Sequence, residues 1–370
     1  MKIFVDAHCF DTEFQGTQTF VRELYTELLQ FTAMEVFFGC HTPENLHRAF
    51  PNLPPANILQ YPGSAISRFF TAIPAILKKG RYDYAHFQNI SPLPVTGCNY
   101  IVTLHDTLFT QSTKYFPPVY RLSRKYAFGR SLQSAFIKTT VSEYSKCEIS
   151  KMYNISPSDL YVIPNGVRED FGQGLSSKMA SKIIMEKYGI QNFILCVSRI
   201  EPRKNQLLLL EMYLHLKLYE EKISLVLIGA ESIKVAGLNL LIRKMPDKAR
   251  NYFFHLKQVS QEDLFAFYRA CKLFVYPSMA EGFGIPPLEA ACCNAPVLCS
   301  SLSAMRSFDF FEPNTFDPED HDQFIAKLQQ MLTDRGPEEN RTLIAQKIFQ
   351  EYSWKKSAAL FHNLLISNIA

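Results

Sequence analysis

Short apolar runs rich in branched and aromatic residues alternate along the chain with longer segments whose apolar positions recur every three to four residues. In the first half the runs at 3–5, 35–38, 58–61, 84–87, 101–104 and 136–140 predict strands. Segments 19–30 and 120–133 predict helices between them, the first with Phe20, Leu24, Leu28 and Phe31 at helical spacing. A polar stretch at 168–178, carrying Gly172 and Gly174, reads as a linker. Beyond it a second set of strands is predicted at 193–197, 225–228, 252–256, 273–276 and 296–299, with helices around 206–218, 261–270, 286–293 and 320–332. Strands alternating with helices predict parallel α/β architecture. The expected organisation is two Rossmann-like domains, 1–170 and 171–352. Segment 353–370 is expected to be an amphipathic helix. Ser353 is its N-cap, and Trp354, Ala358, Phe361 and Leu365 lie along one face that can pack on either domain, including back on the first. No short repeat is present, which excludes a solenoid.

The length of 370 residues agrees with this division, at roughly 150 per domain. With 47% hydrophobic and 20% charged residues the chain can fill two cores and is not of disordered type. Its net charge of +4 does not indicate a nucleic-acid binder. Charge is unevenly placed, however: from Asn57 to Ser142 there are ten Lys and Arg against two acids, Asp83 and Asp106. The nine cysteines form no C-x-x-C pair and several lie in apolar runs, so they read as buried thiols of a reducing cytosol. The first residues, MKIFVDAHCFDTEF, lack the apolar core of a signal peptide, and no apolar run approaches the roughly 18 residues of a membrane span. A cytoplasmic location, with peripheral association at the inner face of the cell membrane, is expected.

Ligands of open α/β sheets sit beyond the carboxyl ends of the strands, which puts the expected site in a cleft between the two sheets. Two such strand ends carry candidate chemistry. After the run LFVY the chain reads Pro277-Ser-Met-Ala-Glu281-Gly-Phe-Gly-Ile-Pro-Pro-Leu-Glu289. A two-glycine turn before a helix starting near Pro286 offers backbone N–H groups and a positive dipole end to a phosphate. Glu281 is expected at the strand tip and Glu289 in the first helical turn, where carboxylates suit sugar hydroxyls; a plain strand–turn–helix with Glu289 offsetting the dipole is the alternative. After the run FILCV comes Ser198-Arg-Ile-Glu-Pro-Arg-Lys-Asn205, whose Arg199 and Lys204 can neutralise a departing diphosphate or simply be solvated loop charges.

Taken together, GFGIPP between Glu281 and Glu289, SRIEPRKN, VIPNGV at 162–167, LHDTLF at 104–109 and G-x-x-x-F-V-x-E-L from Gly16 resemble the retaining GT-B glycosyltransferases of family 4, of the group 1, mannosyltransferase-like type. The resemblance implies a GT-B fold with two Rossmann-like domains facing across a cleft. It implies transfer of a hexose, best matched by mannose, from a nucleotide-diphosphate sugar with retention, without metal or other cofactor. Arg199 and Lys204 would then contact the diphosphate, and the backbone of Gly282, Phe283 and Gly284 would hold donor oxygens. Glu281 would bind the transferred sugar and Glu289 the ribose. His105 would stand at the reacting centre, although a lone His after a strand is also an ordinary structural residue. Gly16 would let the N-terminal loop approach donor and acceptor closely.

The EPRKN form points to GDP-mannose, with a UDP-sugar as the other donor. The acceptor implied is a glycan or polyprenyl-diphosphate-linked sugar in surface polysaccharide biosynthesis. A sugar-nucleotide epimerase of the same architecture and a non-catalytic glycan-assembly subunit are the competing classes.

Three departures from the family pattern stand out. Gln15-Gly16-Thr17 replaces a tandem glycine, Asn294 replaces a helix-ending glycine, and Ser303-Ala-Met-Arg306-Ser307 replaces a Pro-Glu loop beside the nucleotide. Asn294 is expected to take the left-handed cap. Asp320-His-Asp322 reads as a helix start and not as a metal motif. Tyr115, Phe116, Tyr120, Tyr126 and Phe128 interleave with Lys114, Arg121, Arg124, Lys125 and Arg130, which suits an anionic membrane surface or, equally, a packed helix with a solvated basic face.

Overall fold

A computed structural model describes residues 1–12, 15–111, 117–172 and 174–368. The chain divides into two compact units, one formed by 1–166 together with 354–370 and the other by 167–353. Of the basic aromatic stretch, Lys114, Tyr115 and Phe116 lie outside the described residues.

Unit 1 is built on seven parallel strands: β1 (Lys2–Asp6), β2 (Glu35–Cys40), β3 (Ile58–Gln60), β4 (Tyr84–Gln88), β5 (Asn99–Thr103), β6 (Ile137–Thr140) and β7 (Leu160–Val162). Unit 2 is built on six: β8 (Phe193–Val197), β9 (Ser224–Ile228), β10 (Phe253–Leu256), β11 (Leu273–Tyr276), β12 (Val297–Ser300) and β13 (Thr315–Phe316). The first sheet runs β3-β2-β1-β4-β5-β6-β7 and the second β10-β9-β8-β11-β12-β13. Each order reverses direction once, between β1 and β4 and between β8 and β11. This is the Rossmann arrangement, in which the reversal opens a crevice at the carboxyl ends of the two central strands. All residues of β4, β9 and β11 are buried, as expected of parallel strands covered by helices on both faces.

The predicted strands are all present with small shifts of their ends. The short outer strands β7 and β13 are additional. Helices Gly16–Leu28, Pro118–Ser134, Gln206–His215, Gln261–Ala270, Ile285–Cys292 and His321–Thr333 correspond to the predicted ones. Asp320 caps the last of these, its Oδ1 accepting the Gln323 N–H at 2.9 Å. Asn294 is left-handed at φ 60°, and the bonds Asn294 N–H to Ala291 O and Ala295 N–H to Ala290 O complete a Schellman cap.

The helix Trp354–Ser367 belongs to unit 1 although it follows the whole of unit 2. Its apolar stripe is the predicted one: Trp354, Ala358, Phe361 and Leu365 are all buried. The Trp354 ring meets Phe20 edge-on, Phe361 stacks on His86 at 5.2 Å, and the Tyr84 hydroxyl donates to Leu365 O. The helix therefore covers the face of β4 from which Tyr84 and His86 project. Replacing Phe361 by Ala should cost unit 1 about 3–5 kcal/mol. Urea unfolding followed by far-ultraviolet circular dichroism should show an earlier transition than for the native chain.

Candidate active site

The turns after β8 and β11, the two strands at the reversal point of the second sheet, bring together most of the expected site residues. After β8 a single 3-10 turn, Pro202–Lys204, ends in left-handed Asn205, and the helix Gln206–His215 follows at once. This tight turn aims Lys204 back over the strand ends. Its ammonium donates to Glu281 Oε1 at 2.6 Å and to the Tyr276 hydroxyl at 2.8 Å. Tyr276 and Ser278 add hydroxyl donors to the same oxygen, at 3.0 and 2.6 Å. Arg203 donates to Glu281 Oε2 at 3.0 Å and pairs with Glu201 at 2.7 Å, while Arg199 lies 3.7 Å from Glu201.

Burial would raise the Glu281 carboxyl, but Lys204, Arg203 and the Ser278 hydroxyl more than compensate and hold it at about 2. Burial and the neighbouring Arg203 push the Lys204 ammonium down, and Glu281 pulls it back. Glu281 is thus ionised at neutral pH. Glu281 is too acidic to exchange protons there and already accepts four hydrogen bonds, so it is an anchor for cations before it is anything else. An ammonium has three N–H donors, and two of those on Lys204 are engaged within the protein.

The chain from Glu281 to Ile285 passes over the start of the helix Ile285–Cys292. The Glu281 N–H donates to Ser303 Oγ at 2.8 Å, and Ser303 itself is left-handed at φ 55°. Gly284 has φ 103°, and a Cβ there would stand 3.0 Å from Met305, so both backbone and space require glycine. Pro286 and Pro287 remove two of the N–H groups that a helix start normally leaves unpaired. The donor capacity of this helix end is therefore concentrated in the amides of Gly284 and Ile285. Phe283 contributes backbone only, its ring packing against Phe308 and Tyr352 at 5.7 Å.

Glu289 departs from expectation. The helix begins at Ile285, so Glu289 lies in its second turn and not in the first, where it would have faced the dipole end directly. It is half-buried and accepts the Tyr268 hydroxyl at 2.9 Å. Arg199 also stands apart from the Lys204–Glu281 pair. Its side chain is 38% exposed, which makes it the more open of the two expected diphosphate contacts.

His105 and Gly16 are in unit 1. His105 follows β5, half-buried, with its ring edge-on to Phe20 at 5.0 Å and Nε2 donating to Gln88 Oε1 at 2.8 Å. Burial pushes its imidazole down to about 4, so it is neutral at pH 7. Gly16 is the first residue of the helix Gly16–Leu28 and not part of a free loop. A Cβ there would meet nothing within 4 Å, so the protein itself does not demand glycine at this position.

Sequence reasoning singled out neither Arg203, Glu201, Tyr276 and Ser278 nor Gln88. Arg203, Glu201 and Ser278 stood in motifs already quoted, Tyr276 was read only as the end of a strand, and Gln88 lies just past the predicted run 84–87. No group of three His, Cys, Asp or Glu side chains among the described residues is disposed to hold a metal ion.

The second half of the chain, residues 178–348, matches the family model described as glycosyl transferases group 1, and residues 14–171 match that described as glycosyltransferase family 4. The O-antigen chain mannosyltransferase B of Escherichia coli is 28% identical over 69% of this chain and 67% of its own length. The serotype-specific mannosyltransferase WbdA of Escherichia coli is 30% identical over 60% of this chain. The match spans only 27% of WbdA, about a quarter of that relative. Among solved structures, HepE of Anabaena in complex with UDP-glucose superposes with a TM-score of 0.75 at 14% identity, covering 99% of this chain and 100% of that one.

Removing the charge of Glu281 leaves Lys204 and Arg203 buried without their counter-ion. Glu281→Gln should destabilise unit 2 by about 3–5 kcal/mol. In the native chain the same carboxyl is more acidic folded than the usual 4.5. Its stabilising contribution is complete above about pH 4.5 and is lost as pH falls toward 2. Acid-induced unfolding of the native chain should therefore steepen in that interval, and the Glu281→Gln variant should lack that part of the pH dependence.

Proposed function

This chain belongs to glycosyltransferase family 4, with a group 1 glycosyltransferase module as its second half, and from that premise we propose that it transfers a mannosyl group from GDP-mannose to a glycan or polyprenyl-diphosphate-linked acceptor, with retention at the anomeric carbon. The observation that carries the reading is the cluster at the carboxyl ends of β8 and β11. There the buried Glu281 fixes Lys204 and Arg203, and Arg199 stands near Glu201, three cationic side chains at the strand ends that precede the amides of Gly284 and Ile285. Two relatives that are named mannosyltransferases support the choice of sugar. A UDP-sugar is the competing donor.

The residues divide the work as follows. Arg199 and the third N–H of Lys204 neutralise the diphosphate, together with the Gly284 and Ile285 amides and the backbone of Gly282 and Phe283. Glu289 takes the ribose hydroxyls alongside Tyr268, and Glu281 Oε2 accepts from a hydroxyl of the transferred sugar. In unit 1, His105 contacts the donor sugar, and the open helix start at Gly16 admits the acceptor. As the bond between C1 and the diphosphate oxygen breaks, negative charge grows on the leaving group, and fixed cations bind that charge better than they bind the ground state. The acceptor oxygen forms the new bond to C1 on the same face, and its proton passes to the departing phosphate.

The acceptor side of the reading extends to the membrane. No helix among the described residues is long and apolar enough to cross one. On the helix Pro118–Ser134, however, Val119, Leu122 and Tyr126 are each more than 70% exposed beside Lys125, and Arg124 lies over the Tyr120 ring. Phe128 is buried instead, and Arg130 is tied to the carbonyls of Ser91 and Pro92. An exposed apolar strip flanked by cations suits the headgroup layer of an anionic leaflet at the inner face of the cell membrane.

Two experiments test these readings. A thermal-shift panel of nucleotide sugars should single out GDP-mannose, since a ligand that binds only the folded state raises its melting temperature. Calorimetry with that donor should show at least tenfold weaker binding for Lys204→Ala and for Glu289→Ala; undiminished affinity in both removes the site assignment. Turnover of the donor without any acceptor, by C2 or C4 inversion, would make the chain an epimerase. Reversing the charges of Arg121, Arg124 and Lys125 should weaken sedimentation with phosphatidylglycerol vesicles, and unchanged sedimentation removes the membrane contact.

A further inference from the structure

Four side chains of unit 1 form a buried hydrogen-bonded line that ends at His105. Tyr25 lies in the helix Gly16–Leu28, His86 and Gln88 project from one face of β4, and His105 follows β5. The Tyr25 hydroxyl is 2.7 Å from His86 Nδ1, Gln88 Nε2 is 3.2 Å from His86 Nε2, and Gln88 Oε1 is 2.8 Å from His105 Nε2. Thr103 reaches the same His86 Nε2 at 2.7 Å and meets Thr139 at 2.6 Å. Tyr25, His86, Thr103 and Thr139 are fully buried and Gln88 is nearly so.

A polar line of this depth is retained only if its donors and acceptors match, because each unmatched group costs its full desolvation. Matching also fixes the protons. An amide has a donor end and an acceptor end. The Gln88 oxygen faces His105, so His105 Nε2 carries a hydrogen. The Gln88 nitrogen, which can only donate, faces His86 Nε2; the arrangement that satisfies it leaves that nitrogen bare, with the Thr103 hydroxyl turned toward it as a second donor and the single His86 proton on Nδ1, toward Tyr25. Burial, with His105 nearby, pushes His86 down to about 3, which keeps it in this neutral form. His105 Nδ1 has no protein hydrogen-bond partner among the described residues.

We propose that Gln88 is a positioning residue whose amide, oriented from beneath by His86, locks His105 as the Nε2–H tautomer and leaves Nδ1 as the acceptor presented to a ligand hydroxyl. The inference deepens the transferase reading and depends on it only for the ligand: a neutral Nδ1 accepts a hydrogen bond from a sugar hydroxyl. Phe20, edge-on against the ring, restricts rotation of the imidazole, and the Asn89 side chain holds the His105 backbone N–H at 3.2 Å, so the amide decides which nitrogen is protonated.

The test is the side-chain nitrogen spectrum of the full chain labelled at histidine, with the His105 signal assigned from His105→Gln. The native chain should show His105 protonated at Nε2 and His86 at Nδ1 across the neutral range. Gln88→Leu should give a mixture of His105 tautomers, and so should the closer isostere Gln88→Met, which serves if the first fails to fold. Gln88→Glu keeps the acceptor toward His105 and should retain the Nε2–H signal. In a transfer assay, kcat should fall roughly ten- to a hundredfold for Leu and Met, as for other residues that orient a ligating histidine, with recovery in Glu. A native His105 protonated at Nδ1, or a tautomer unmoved by loss of the amide, overturns the proposal. The expected spectra in a chain that transfers no sugar would remove the transferase reading and leave the positioning role standing.

Discussion

A carboxylate buried at the tip of a central strand must have its charge matched, and in unit 2 that requirement organises everything around it. Glu281 draws Lys204 and Arg203 from the turn after β8 and Ser278 and Tyr276 from its own strand end. None of these contacts is strong evidence for stability by itself, because desolvation offsets much of a buried ion pair. Their effect is on geometry: two turns more than seventy residues apart in sequence are locked into one rigid edge. The loop at Ser303 is drawn in as well, through the Glu281 N–H. A left-handed serine is strained alone, and here the surrounding contacts hold it.

Unit 1 solves a related problem without charge. Its central strand β4 carries polar His86 and Gln88 where a parallel strand would ordinarily be apolar, and both are satisfied by neutral partners. Each unit thus carries ordered polar groups on or just beyond its central strands, an ion cluster in unit 2 and a hydrogen-bonded line in unit 1. In both the backbone order sets the location and the side chains set the chemistry.

Much of this was legible from residue pattern. Runs such as FILCV and LFVY are unambiguous because strands buried on both faces have no polar alternation to confuse them. Lys204 and Glu281 were identifiable because each follows such a run, where open sheets place ligands. The outer strands β7 and β13 were not, since two or three residues carry no period. Glu289 was placed one turn too early because the helix starts at Ile285, before both prolines. Gln88 and His86 escaped notice for a different reason. Alternating polar residues in a strand resemble a solvated face, and only the fold shows that the helices Gly16–Leu28 and Trp354–Ser367 cover it. The choice of unit by the final helix was open as well, since an apolar stripe specifies a need for burial and not a partner.

The return of that helix to the first unit has a consequence for biogenesis. A ribosome delivers the strands of unit 1 first, and domains commonly fold in that order as the chain emerges. Here residues 354–367 follow all of unit 2, so the face of β4 bearing Tyr84 and His86 stays uncovered while the intervening 187 residues are made. Until Phe361 arrives on the His86 ring, that face lacks its apolar cover. The first unit is therefore incomplete until the helix Trp354–Ser367 has been made.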